Sequence, residues 1–364
     1  MDEPPPDEPE SSQPKLSTIL NDASSLLLLL DAAANKLALV LNPSKPAYKA
    51  SLPLLHDIAK HTSALLHCIT LVRPEQHGST LRLHFARHIK NVIDALRQLL
   101  HIFLDHAAGR TPAQSYLIQT DTLHGLVEIA RAKSGIQRTN LAAVRTAWRD
   151  DHESLKDCVE EVEGMISKSD RRDAGEDDDE DFDDGWDEVM GDLDMSDSKL
   201  DDQGVHRATN VRDILRSSVS IHEQVLSRFL ILPPSSVPTS SKSPRPRPPN
   251  SALDALYPSS DALLVASDDL ASTLYAPHQP PAMLTQLDEF TSVVRTLQTR
   301  LQPFVAPTPS ADDLAQKLGE MQVSDDAQRK DRESARKDFE TRFSDLFKRA
   351  DEFRSSLQQE LEVG

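Results

Sequence analysis

The residues able to do chemistry in this chain stand in four places, and each place lacks a part its chemistry needs. His84 and His88 lie four apart, a spacing that sets two imidazoles on one helix face as in zinc hydrolases. Between them stand Phe85, Ala86 and Arg87, so the general-base glutamate is missing and an arginine repels the cation. Asp121 and His124 make one acid-x-x-His unit, whereas a di-iron bundle needs two such units and further carboxylates on facing helices. Asp177, Asp179, Asp181 and Glu188 fit the first, third, fifth and twelfth positions of a calcium loop, but Phe182 sits where that loop must turn on glycine. Cys68 and Cys158 have no base patterned around them to make a nucleophile.

No phosphate-cradling glycine loop, serine elbow or kinase signature occurs. No catalytic, cofactor-binding or metal residue is therefore assigned, and the chain is expected not to be an enzyme and to use no cofactor. Two cysteines in 364 residues argue against a disulfide framework and for a reducing compartment.

Charge narrows the partner class. The net charge is -19, of which residues 170–202 carry -14 and residues 1–10 carry -5, leaving the remainder neutral. A neutral surface with acidic appendages does not grip phosphates, and 4% aromatic residues leave few stacking platforms, so no nucleic acid is expected. The N-terminal MDEPPPDEPE is the reverse of a signal peptide, and the greasy run Leu26 to Leu30 stops at Asp31. A membrane span needs roughly 20 apolar residues, so a soluble intracellular chain without one is expected.

The elements that would carry these residues are helices. Phe85, Ile89, Val92, Leu96, Leu99 and Phe103 recur at steps of four and three, which predicts a helix over 78–106. The same device predicts helices over 16–41, 48–72 (Leu55, Ile58, Thr62, Leu65, Ile69, Val72), 115–132 (Leu117, Leu123, Val127, Ile129) and 139–167 (Trp148, Leu155, Val159, with His152 on the same side). A second series follows at 211–232, around Leu256 to Leu274 with Pro258 starting or kinking it, at Leu287 to Phe304, at 311–321 and at 325–361.

These spacings predict an all-α protein: two antiparallel helical bundles joined by an acidic disordered linker. The expected divisions are a disordered tail at 1–14, a five-helix bundle at 15–167, the linker at 168–203, and a C-terminal bundle at 204–364 interrupted by a Pro/Ser-rich loop at 233–250. Ten of the thirteen residues from Glu176 to Glu188 are acidic, yet Phe182, Trp186, Val189, Met190 and Leu193 share one helical face. That face either lies in a partner's groove or ties the two halves together. Ser243-Pro244 and Thr308-Pro309 are minimal proline-directed kinase sites, making Ser243 and Thr308 the phosphorylation candidates.

Several segments resemble the cyclin-D-interacting (GCIP) family: Gly78-Ser79-Thr80-Leu81-Arg82, Arg138-Thr139-Asn140 followed by Leu141-Ala142-Ala143, the acidic linker with its tryptophan, Asp268-Asp269-Leu270-Ala271 leading to Tyr275-Ala276-Pro277, and Leu357-Gln358-Gln359-Glu360-Leu361-Glu362. The resemblance implies an all-helical, two-domain protein of nucleus and cytoplasm. It further implies a non-enzymatic adaptor that binds G1-type cyclins and helix-loop-helix regulators and restrains the cell cycle. The loop at 233–250 and the polar segment around 311–337 depart from it. Two other classes fit an all-helical chain: a structural tether like the vinculin and α-catenin bundles, and a bundle metalloenzyme.

Overall fold

In a computed structural model, the structure describes residues 14–110, 115–173, 200–232, 248–275, 279–305 and 325–363; among them there is no β-strand. Contacts divide the chain into two compact units, Met1–Val144 and Arg145–Gly364. The packing divides inside the fifth long helix: from Arg145 onward that helix, Trp148 included, belongs to the second unit.

The first unit is built from α1 (Leu16–Val40), α2 (Tyr48–Leu71), the single turn α3 (Pro74–His77), α4 (Ser79–Ala107) and α5 (Ser115–Arg131). Asn42-Pro43 ends α1, because the residue before a proline resists the helical region. α5 runs antiparallel to α1 and to α4, where Gln119 bonds the Ala95 carbonyl. His124 meets Asp31 and Arg131 reaches Ser24 between α5 and α1, and Phe103 touches Tyr116 between α4 and α5. All six residues of the α4 stripe are buried. α1 is long and apolar enough to cross a membrane, with a hydropathy of 1.5 over its best window. Nine of its residues, Ile19 to Ala38, are nevertheless buried core of this unit.

Two helices are turned from the expected orientation. On α5, Leu117 and Ile129 face out while Tyr116 and Ala130 join Leu123 and Val127 in the core. On α2 the buried residues are Ser51, Ile58, Leu65 and Cys68, and Leu55, Thr62 and Ile69 are only half-buried.

The start of α4 is pinned from a distance. Gly78 holds φ +92°, which a side chain disfavours, and a Cβ there would fall 2.0 Å from the Asn140 carboxamide. That carboxamide accepts the buried Leu81 N–H at 2.9 Å, one of the amides a helix cannot satisfy internally in its first turn. Replacing Asn140 by alanine leaves this amide unpaired and lowers the first unit's stability by about 1–3 kcal/mol. Chemical denaturation followed by circular dichroism would show the shift.

The second unit contains α6 (Asn140–Asp173) from Arg145 onward, α7 (Asp202–Arg228), α8 (Asn250–Ser272), α9 (Pro280–Val305) and α10 (Asp325–Val363). α7 begins nine residues earlier than its apolar stripe suggests, because Asp201 caps it by accepting the Gly204 N–H at 2.6 Å. Its far end is closed by Arg145, which donates to the carbonyls of Leu226 and Leu230. Arg207 and Glu360 pair at 2.6 Å and Arg228 and Asp338 at 3.6 Å, so α7 and α10 run antiparallel.

Phe339, Phe343, Leu346, Ala350, Phe353 and Leu357 bury the expected face of α10. Pro258 neither starts nor ends α8, which runs through it. The turn it disturbs is supplied with donors: Arg300 bonds the Ala255 carbonyl and Ser259 Oγ, and Trp148 Nε1 bonds the Leu256 carbonyl. The expected helix over 311–321 lies outside the described residues.

Candidate functional site

Phe182, Trp186, Val189, Met190 and Leu193 lie outside the described residues, as do Ser243 and Thr308. What the structure places is the rest of the chemistry.

On α4 the His84 and His88 rings meet edge to face, 4.7 Å between centroids, and His84 Nε2 is in hydrogen-bond contact with the Gly135 carbonyl at 3.2 Å. Burial, with His84 and Arg87 adding to it, pushes His88 down to about 4, so it is neutral at pH 7. His124 takes its hydrogen-bond partner from another helix: it bonds Asp31 on α1 at 3.1 Å, and that bond, with lesser help from Glu128 and Asp121, raises its pKa. Both cysteines are buried, and burial pushes the Cys158 thiol up to about 12 and raises Cys68 in the same direction. Neither is a thiolate at neutral pH. Among the described residues no three His, Cys, Asp or Glu side chains group as metal ligands.

The second unit holds a cluster that the sequence reading overlooked. The His222 ring stacks on the Trp148 indole at 4.1 Å and lies parallel to His152 at 5.5 Å. His222 Nε2 shares a hydrogen bond with Ser260 Oγ at 2.8 Å. Burial drives His222 down to about 3, with His152 adding to it, and burial also lowers His152. The Nδ1 atoms of both rings are buried without a hydrogen-bond partner.

A serine beside a neutral imidazole is half of a nucleophilic site. Here both are wholly inaccessible, so the pair meets no substrate and instead joins α7 to α8 beneath Trp148 of α6. His152 belonged to the expected stripe. His222, one residue past Ile221, gave no periodic signal because a polar residue inside a stripe reads as a break.

Two concavities among the described residues of this unit are open grooves. One of about 490 Å³ lies between α7 and α10 and is lined by Arg212, Arg216, Arg342 and Arg349. Each arginine is answered by an acid: Asp213 for Arg212 and Arg349, Glu163 for Arg216, Asp338 for Arg342. The groove is therefore a ladder of ion pairs and not a free anion site. The other, of about 670 Å³ between α9 and α10, has Phe347 in its wall with the Arg295 guanidinium 5.4 Å above the ring. Exposed large apolar side chains concentrate in the first unit, with Leu39, Tyr48, Leu52, Leu66, Leu104, Leu117, Ile118 and Ile129 all at least half exposed. Such exposed apolar side chains are the kind of surface on which other proteins dock.

The contact between Gly78, Leu81 and Asn140 has a further meaning, since it brings together two of the segments that carry the family resemblance. A scan against family models matches residues 22–168 to the N-terminal domain, and residues 176–299 to the C-terminal domain, of the Grap2 and cyclin-D-interacting proteins. This chain belongs to the Grap2 and cyclin-D-interacting family.

No individual curated protein matches the sequence. The Grap2 and cyclin-D-interacting family is a family of protein interaction. Its two models meet across residues 169–175, whereas the compact units divide at Val144, within α6. Its C-terminal model spans α7, α8 and most of α9, and α10 lies beyond the match.

Proposed function

We propose that this chain is a non-enzymatic adaptor that binds a G1-type cyclin and thereby regulates cell-cycle progression. The observation that carries this reading is the match of residues 22–168 and 176–299 to the family named for cyclin D interaction. Helix-loop-helix regulators are its second partner class, and the nucleus and cytoplasm its location. The closed second core and the exposed apolar side chains of the first unit suit a protein that acts through its surface.

Phe182, Trp186, Val189, Met190 and Leu193 form the partner-binding face, an apolar stripe framed by carboxylates. Ser243 and Thr308 are its sites of proline-directed phosphorylation. Capture with purified D-type cyclin tests this. The full chain retains the cyclin, and Trp186→Ala weakens retention at least tenfold with circular dichroism unchanged. Retention equal in the two removes the site; no retention by the full chain removes the cyclin reading.

A further inference from the structure

We propose that the outward face of α2 is a docking surface for an acidic amphipathic helix of a partner protein. This gives the protein-binding reading above, on which it rests, a place on the first unit.

α2 carries two apolar seams. The buried one contains Ser51, Ile58 and Leu65, seven apart, turned toward the core. One residue further on, Leu52, Ala59 and Leu66 repeat with the same period, and Leu55, Thr62 and Ile69 fall between them. Steps of three and four in alternation are the pattern of a helix-pairing seam. A single-faced surface helix would bury one such row; α2 leaves Leu52 65% and Leu66 50% exposed, with Ala59 exposed between them. Tyr48, 58% exposed, extends the row by one more step. From Leu52 to Ile69 the seam is about 26 Å long, enough for about five turns of a partner helix.

Charge selects the occupant. One edge of the seam is the core itself. The other carries Lys49, His56, Lys60 and His67, all exposed, and no carboxylate; Asp57, the one acid of α2, lies past it on the side away from the seam. Side chains flanking such a seam choose partners by opposite charge. A second copy of α2 would bring another carboxylate-free edge to Lys49 and Lys60. A helix with leucines in its seam and glutamates along its flank answers both features.

The test uses the full chain and two labelled 25-residue helical peptides, both with leucine in the seam, one with glutamate and one with lysine at the flanking positions, read by fluorescence anisotropy. The glutamate peptide is expected to bind at least tenfold tighter than the lysine peptide. Leu52→Asp with Leu66→Asp reduces its binding at least tenfold, and Lys60→Glu reverses the preference, with circular dichroism unchanged in every variant. Equal binding of the two peptides, no binding of either, or indifference to the leucine substitutions overturns the proposal. Two further results also overturn it: a tenfold gain on deleting residues 176–193, which gives the seam to the chain's own acidic segment, and a dimer abolished by Leu66→Asp, which gives it to a second copy. Cyclin captured normally by a chain that fails these tests leaves the protein-binding reading standing and removes the α2 surface alone.

Discussion

Replacing Trp148 by alanine is expected to lower the stability of the second unit by about 3–5 kcal/mol, the cost of emptying a fully buried aromatic site. Trp148 has no exposed surface, stacks on His222 at 4.1 Å and donates Nε1–H to the Leu256 carbonyl at 3.3 Å, in the turn that Pro258 disturbs. Its removal therefore opens a cavity among α6, α7 and α8 and deprives the Leu256 carbonyl of a donor. Trp148→Phe is milder: a smaller aromatic ring still fills part of the site while the N–H and the fused ring are lost, for about 1–3 kcal/mol.

The two units need not unfold together, so a urea titration followed by circular dichroism should show the change in one transition and leave the other in place. A loss below about 1 kcal/mol for Trp148→Ala would mean that the stack does not hold these helices together.

How far such contacts could be foreseen differed from helix to helix. The stripe of α4 and the Phe339 to Leu357 stripe of α10 were legible because each keeps its steps of three and four through several turns and all of its residues are buried. α2 was not, because its apolar residues cover two adjacent faces and periodicity cannot say which one turns inward. The early start of α7 depends on a cap at Asp201 that sits among other aspartates, where one capping residue does not stand out.

Pro258 reads as a breaker, and only the positions of Trp148 and Arg300 in space reveal why the helix tolerates it. The Asn140 contact spans 59 residues, so its two halves are visible as motifs but their meeting is not. Two uncharged imidazoles inside a core could not be read from spacing, since their neutrality is produced by burial.

That neutrality sets a pH dependence, and its sign follows from the direction of the shift. In the unfolded chain His222 takes up its proton near the ordinary histidine value of 6.5, whereas in the folded unit burial holds it down to about 3. Well above pH 6.5 the group is neutral in both states and contributes no slope. Below it the unfolded state holds a proton that the folded state refuses, so stability falls with falling pH, by about 1.4 kcal/mol per unit for one imidazole. Carried down to pH 3, the loss is on the order of 4–5 kcal/mol.

His152 acts in the same direction, being lowered by burial and by Lys156 against the opposing pull of Glu153 and Glu223. Asp268, raised by burial, acts in the opposite sense near its own titration, because it binds its proton more readily when folded. Comparison with His222→Phe isolates the first contribution. The phenyl ring keeps the stack on Trp148, cannot titrate, and has no Nδ1 to leave unpartnered, although Ser260 loses its hydrogen bond.

Urea titrations between pH 7 and pH 4 should show the wild-type second unit weakening by up to about 3 kcal/mol more than His222→Phe, with no difference in slope above about pH 8. Equal slopes in the two proteins would mean that His222 is protonated within the folded core, and a slope of the opposite sign would mean that it finds a carboxylate there. Either result would contradict the closed, neutral packing on which the second unit depends.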